Sequence, residues 1–197
     1  TMRILCLHDA NSNTQHLKDQ LCLLGENLFV KHSIDLIYIN SPIVLPHDND
    51  QRVWWQREAM AEEDSRPIYR GLDASLMLLQ QVWTSLPYVG ILGIGQGATV
   101  ASILLSLVEV PPEFAIFVSG EALINTDDLQ RSDNPISTLH LVDTPVSESQ
   151  ERLIRQFGGI VQPRSSDRRI TAFDLNKIGR FVCEQRKLLL SQLNSHS

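Results

Sequence analysis

No two cysteines in this chain stand at a metal-ligand or C-x-x-C spacing: there are three, Cys6, Cys22 and Cys183, odd in number and far apart. Neither a disulfide framework nor a structural zinc site is expected, and a reducing compartment is the simplest reading. Basic charge is also short. Lys and Arg number 17 against 23 Asp and Glu, for a net charge of −6, which argues against nucleic acid or an anionic membrane as the main partner, since both demand a basic surface. No apolar run approaches the roughly 20 residues of a membrane span. Arg3 to Leu7 is too short and too strand-like for a signal peptide, so a cytoplasmic or nuclear protein is expected. The histidines, at 8, 16, 32, 47, 140 and 196, include no pair at metal-ligand spacing. No metal and no cofactor are expected.

What is there is ordinary globular composition, 43% hydrophobic and 20% charged. A chain of this length is read as one domain, residues 1–197. Ile4 to Leu7 reads as a buried first strand ending at the turn formers His8 to Asn13. Asn13 or Thr14 caps a helix through Leu17, Leu21 and Leu24, with Gly25 expected to close it. Ile34 to Ile39 reads as a second strand. Residues 40–68, with Pro42, Pro46, Pro67 and the Trp54-Trp55 pair, read as a long lid-like insertion loop. The tryptophans either anchor that loop to the body or wall a ligand pocket.

A helix is indicated from Ile68 or Leu72 to Leu86, then a strand at Val89 to Leu92 and a helix from about Gln96 to Val108. Further strands are expected at Phe114 to Val118, Thr138 to Val142 and Ile160-Val161. Residues 121–136 read as a loop, a helix through Leu153, Ile154 and Phe157 stops at Gly158-Gly159, and Thr171 and Asp174 head a final helix with capping-box spacing. About six strands alternating with about five helices predict an α/β fold: a doubly wound, mostly parallel sheet with helices on both faces and sites at the C-terminal strand ends.

The stretch Tyr88 to Val108 (YVGILGIGQGATVASILLSLV) has the outline strand, sharp turn, helix. It fits two site types. One is the nucleophile elbow G-x-S-x-G, which holds a serine at the tip of a strained bend. The other is the dinucleotide fingerprint G-x-G-x-x-A at Gly93, Gly95 and Ala98, with Glu121 about where a ribose-binding acid belongs. That fingerprint usually follows the first strand, and here two strands precede it.

The hydrolase pattern draws on most of the chain: Leu7-His8, the Trp54-Trp55 pair, Tyr69-Arg70-Gly71-Leu72-Asp73-Ala74-Ser75-Leu76, Gly90 to Ala98 (GILGIGQGA), Phe117-Val118-Ser119-Gly120 and Thr138-Leu139-His140-Leu141. In this order the chain resembles the FSH family of serine hydrolases, small α/β-hydrolases of the fungal and ovarian-tumour-suppressor-like type. That family reads approximately LHG, the tryptophan pair, Y-x-G-L-x-x-S-L, G-I-L-G-F-S-Q-G-A, S-G and S-L-H-V at these places. The resemblance covers nearly all of residues 3 to 183 and implies an α/β-hydrolase-like fold.

The same resemblance implies a degenerate triad. Gly95 stands at the nucleophile's place and has no hydroxyl. Arg168, within Ser166-Asp167-Arg168, stands at the base's place, and a guanidinium accepts no proton. Asp143 is the carboxylate at the acid's place. Asp9 replaces the family's glycine beside the oxyanion site, where a carboxylate opposes a developing negative charge. Loss of nucleophile and base together points to a pseudoenzyme that binds another protein or itself, with a vestigial pocket at His8, Asp9, Trp54, Trp55, Gln96 and Gly97 that leaves a small-molecule ligand open.

The alternatives are an active carboxylic-ester or thioester hydrolase with a rearranged site, using His8 or a cysteine, and a nucleotide-binding protein through Gly93 to Ala98. Ser119, Ser147 and Ser149 are nucleophiles only with a base nearby. His140, within an apolar strand, reads as a core histidine, and His8 as a structural one. Arg164, Arg168 and Arg169 read as a solvated loop, or as an anion site near the old triad.

Overall fold

The computed structural model describes residues 1–58, 67–123, 136–165 and 169–195, with Asp48 and Asn49 as backbone only. In chain order the elements are β1 (Met2–Leu7), α1 (Thr14–His32), β2 (Ile34–Ile39), β3 (Ile43–Leu45), β4 (Asp48–Val53), β5 (Gln56–Arg57) and β6 (Tyr69–Arg70). There follow α2 (Leu72–Ser85), β7 (Gly90–Ile94), α3 (Gln96–Leu107), β8 (Phe114–Val118), β9 (Ser137–Val142), α4 (Glu148–Phe157), β10 (Ile160–Pro163) and α5 (Ala172–Ser195).

Among the described residues six strands form one sheet in the order β10-β9-β8-β7-β1-β2, every pairing parallel. Both faces are covered, so β7 and β8 are buried at every position. This is why their sequences run apolar without alternation. One face packs Leu5, Leu7 and Phe117 against Leu79 and Trp83 of α2, Val100 and Leu104 of α3 and Leu153 of α4. The other packs Ile4, Leu92 and Ile116 against Leu17, Leu21 and Leu28 of α1 and Ile178, Phe181 and Val182 of α5. The α/β, doubly wound expectation holds.

The strand order reverses at β1. From β1 the chain steps outward to β2, then returns to β7 on the other side and continues through β8, β9 and β10. The connections leaving β1 and β7 therefore diverge to opposite faces, which opens a crevice at their C-terminal ends, the place where doubly wound sheets put their sites.

Two expectations need correction. The first helix does not stop at Gly25. It runs to His32, carries the same apolar stripe on to Leu28, and closes at Ser33 in a left-handed conformation (φ 55°). A Cβ on Gly25 would touch Leu36 of β2 at 3.5 Å, so this glycine marks a close helix-to-strand approach. The stretch 40–68 is also not a plain loop: β3 pairs with β4, and β5 with β6, in short antiparallel ladders. Residues 59–66, and 124–135 of the expected loop 121–136, lie outside the described residues.

Candidate functional site

The turns at the C-terminal edge of the sheet carry His8 and Asp9 after β1, Gly95 after β7, Ser119 after β8, Asp143 after β9 and Arg164 after β10. Of the expected triad positions Gly95 and Asp143 are among them, and Arg168 lies outside the described residues.

The turn between β7 and α3 has the elbow geometry. Gly95 sits at φ 51° and ψ −117°, its N–H donates to Val118 O at 2.8 Å, and its carbonyl accepts the Thr99 N–H at 3.1 Å. A residue with a side chain is strained in that conformation, and glycine is not. Added Cβ atoms on Gly93 and Gly97 would lie 2.4 Å from Ala98 Cα and from Leu7 O. Only glycine lets α3 sit this tightly on β7 and β1.

In an elbow of this kind the oxyanion is bound by the N–H of the residue after the nucleophile and by an N–H from the loop of a neighbouring strand. Here those groups are Gln96 N–H and Ala10 N–H. Both donate to one atom, Asp9 Oδ1, at 2.9 and 2.7 Å. The carboxylate occupies the place of the oxyanion.

His8, fully buried, is spent on structure. Its Nδ1 donates to Asp9 O at 2.7 Å and its Nε2 accepts the Ser41 N–H at 3.0 Å, which fixes the neutral tautomer. Burial holds its pKa below the ordinary value. Trp54 Nε1 donates to His8 O at 2.8 Å, and the Gln96 side-chain amide bridges the tryptophan pair, accepting from Trp54 N at 2.9 Å and donating to Trp55 O at 3.2 Å. Ser75 Oγ donates to Trp54 O at 2.6 Å. These bonds anchor the tryptophans' segment to the body. Of the six residues expected to form a vestigial pocket, His8, Trp54, Trp55 and Gln96 satisfy one another and Gly97 packs on β1. Asp9 alone of them lines a cleft of about 480 Å³ that continues past Ser12 and His16 to Arg169.

Asp143 lies at the end of β9 as expected, but no histidine meets it among the described residues. Its Oδ1 accepts from Ser119 Oγ at 2.8 Å and from Arg164 Nη1 at 3.2 Å, and its Oδ2 from Gln150 Nε2 at 2.9 Å. Arg164 also donates to Ser119 Oγ at 2.7 Å and to Arg169 O at 2.9 Å, and its Nε lies 3.5 Å from Asp174. With 2% of its side chain exposed, Arg164 is a buried tie between β9, β10 and α5. The solvated-loop and anion-site readings fail for it, because both of its nearby anions belong to the fold. The signal was Asp174, whose capping role for α5 through Thr171 N and Thr171 Oγ1 brings it under Arg164. Ser166, Asp167 and Arg168 lie outside the described residues.

The minor candidates resolve likewise. Ser147 caps α4 in a reciprocal capping box with Gln150. The nucleotide reading of Gly93 to Ala98 loses its donor, since the Gln96 N–H that would face a pyrophosphate is bound by Asp9. Glu121 presents its own N–H to Thr99 Oγ1 at 3.2 Å. Cys6 is buried. No metal-binding cluster occurs among the described residues, and none of their helices is long and apolar enough to cross a membrane.

Comparison with known proteins agrees with the fold. Esterase OVCA2 of Xenopus tropicalis is 27% identical over 167 residues, covering 72% of this chain and 71% of that protein. Esterase GA18864 of Drosophila pseudoobscura pseudoobscura is 26% identical over 159 residues, covering 71% of this chain and 54% of its own length, so the chain spans about half of that relative. Among solved structures, esterase PE8 superposes with a TM-score of 0.65 at 19% identity over 93% of this chain and 92% of that one. A carboxylesterase from Mesorhizobium loti gives 0.67 at 15% identity over 92% and 88%. These share the α/β-hydrolase fold. The family model described as Serine hydrolase (FSH1) matches residues 1–159, and the chain belongs to that serine hydrolase family.

Proposed function

We propose that this chain is a member of the serine hydrolase family that performs no serine chemistry and acts as a binding or scaffold module, its partner another protein or a second copy of itself. One observation carries the reading: the Asp9 carboxylate accepts both N–H groups of the oxyanion site while Gly95 offers no nucleophile. A tetrahedral intermediate needs those donors for its own negative oxygen. With a carboxylate already seated there, the charge that would develop is repelled and has no donors left. A small ligand would enter through the cleft beside Asp9.

The name esterase, which these relatives carry, favours the other reading, an active hydrolase with a rearranged site. At the elbow that reading needs a free base, and His8 has both ring nitrogens committed to backbone groups. Incubation of the purified chain with a fluorophosphonate probe and with p-nitrophenyl esters is expected to give no label on any serine and no sustained ester turnover above the buffer rate. A fluorophosphonate label on a serine, or ester turnover that disappears in His8→Gln, would overturn the proposal.

A further inference from the structure

α1 ends at His32 immediately before β2 begins, so His32 lies at the end of the sheet opposite to Gly95. There it meets Cys183, from the middle of α5, with Cys183 Sγ 3.2 Å from His32 Nε2. Arg186 Nε donates to His32 O at 2.9 Å and pins the helix end. A thiol within hydrogen-bond reach of an imidazole is the arrangement by which a cysteine is made nucleophilic: the ring takes the proton as sulfur attacks.

The pair opens into a groove of about 460 Å³ between α1 and α5. Gly179, where a Cβ would stand 3.3 Å from Leu24 Cδ1, keeps α5 thin at this crossing. The lining is apolar along Leu23, Leu24, Leu28 and Leu175 and cationic at Lys31 and Arg180, and it includes no carboxylate. Leu23 is 69% exposed, an apolar side chain left at the mouth of an apolar cleft. Such a lining matches a ligand with an apolar chain and an anionic head. The other thiols lack these surroundings. Cys22 is exposed, and its hydrogen bond to Glu26 holds the thiol in its protonated form, whereas Cys6 is sealed in the core.

We propose that Cys183 and His32 form a second nucleophilic centre, remote from the elbow, that accepts the acyl group of a long-chain acyl thioester with an anionic head. Cys183 Sγ attacks the thioester carbonyl carbon while His32 Nε2 takes the thiol proton. The carbon–sulfur bond to the leaving thiol then breaks, and that sulfur receives the proton from His32. The acyl group ends on Cys183, with no oxidant or reductant involved. The groove holds the chain, and Lys31 and Arg180 face the head.

The test uses the full chain with hexadecanoyl-coenzyme A, read by intact mass and peptide mapping. One hydroxylamine-sensitive acyl group on Cys183 is expected, formed at least roughly tenfold faster than on the more exposed Cys22. Cys183→Ser is expected to abolish it. His32→Gln is expected to slow it by about tenfold or more. Leu23→Asp, at an exposed position that folding tolerates, is expected to slow hexadecanoyl transfer by a larger factor than acetyl transfer from acetyl-coenzyme A. Cys22 reacting as fast as Cys183, a rate indifferent to His32→Gln, or no acylation would each overturn the proposal. An unchanged hexadecanoyl rate in Leu23→Asp would overturn the groove's part in it.

Discussion

A Cβ placed on Gly95 would lie 1.8 Å from Asp9 Oδ1 and 2.2 Å from its Cγ. The carboxylate in its present place therefore excludes a side chain at the elbow. Gly95→Ser in the otherwise unchanged chain is expected to destabilise without creating activity, because the serine and the carboxylate contend for one space and the bend is strained. Asp9→Gly alone frees two N–H donors and is expected to cost about 1–3 kcal/mol. The double variant should lose less than the sum of the two, by about 1 kcal/mol or more, as interacting neighbours do. Urea denaturation of the four proteins measures the cycle; additivity would separate the two residues.

His140 supplies a pH dependence. It is 1% exposed, lies 5.1 Å from Phe117 between ring centroids, and is pushed by burial from 6.5 down to about 4. The unfolded chain binds the proton more readily than the folded one, so this contribution is complete above the unfolded value and is lost as pH falls through about 4. At 1.36 kcal/mol per unit the full loss is roughly 3 kcal/mol. Urea midpoints between neutral pH and the acid edge should fall, and His140→Leu should flatten that part of the curve.

Arg164 is a buried cation between Asp143 and Asp174, and the two carboxylates depend on it. Arg164→Met is expected to cost about 3–5 kcal/mol, since it takes one partner from a buried ion pair with the 1% exposed Asp174. The contrasting pair is Arg155 with Glu151 on the outer face of α4, 65% and 55% exposed, where Arg155→Ala should change stability by less than about 1 kcal/mol. Equal effects in equilibrium unfolding would contradict the burial argument.

Gln96 tests whether the region around the tryptophans is structural. Gln96→Ala leaves Trp54 N–H and Trp55 C=O without their side-chain partner and should cost about 1–3 kcal/mol. Tryptophan fluorescence should shift to the red and the amide of Trp54 should exchange faster with solvent. An unchanged spectrum would assign Gln96 to a ligand instead.

Much of this was legible in the sequence. The uninterrupted apolar runs Ile4 to Leu7, Val89 to Leu92 and Phe114 to Val118 follow from burial on both faces, and Gly93, Gly95 and Gly97 mark an elbow because close packing and a positive φ leave no alternative. Gly25 misled, because a glycine that admits a neighbouring strand looks the same in sequence as one that ends a helix. The short ladders β3 to β6 were hidden, as their strands are two to six residues long and pair positions such as Gln56 with Arg70 and Val44 with Arg52, which carry no apolar alternation. Asp9 stood out in the sequence for its charge, but sequence gives no rotamer, and only the fold shows that one oxygen accepts from two donors. Arg164 went unrecognised because its partners, Asp143 and Asp174, lie 21 and 10 residues away in sequence and meet through packing.

An active hydrolase keeps an elbow side chain under torsional strain and two N–H donors waiting for a charge that appears only during reaction, and both lower the stability of the resting protein. In this chain Asp9 answers the donors and Gly95 removes the strain. On the proposed reading the usual conflict between rate and stability is resolved in favour of stability at this end of the sheet. Gaining serine chemistry there runs uphill: each first step, adding the serine or removing the carboxylate, weakens the fold before any rate is gained.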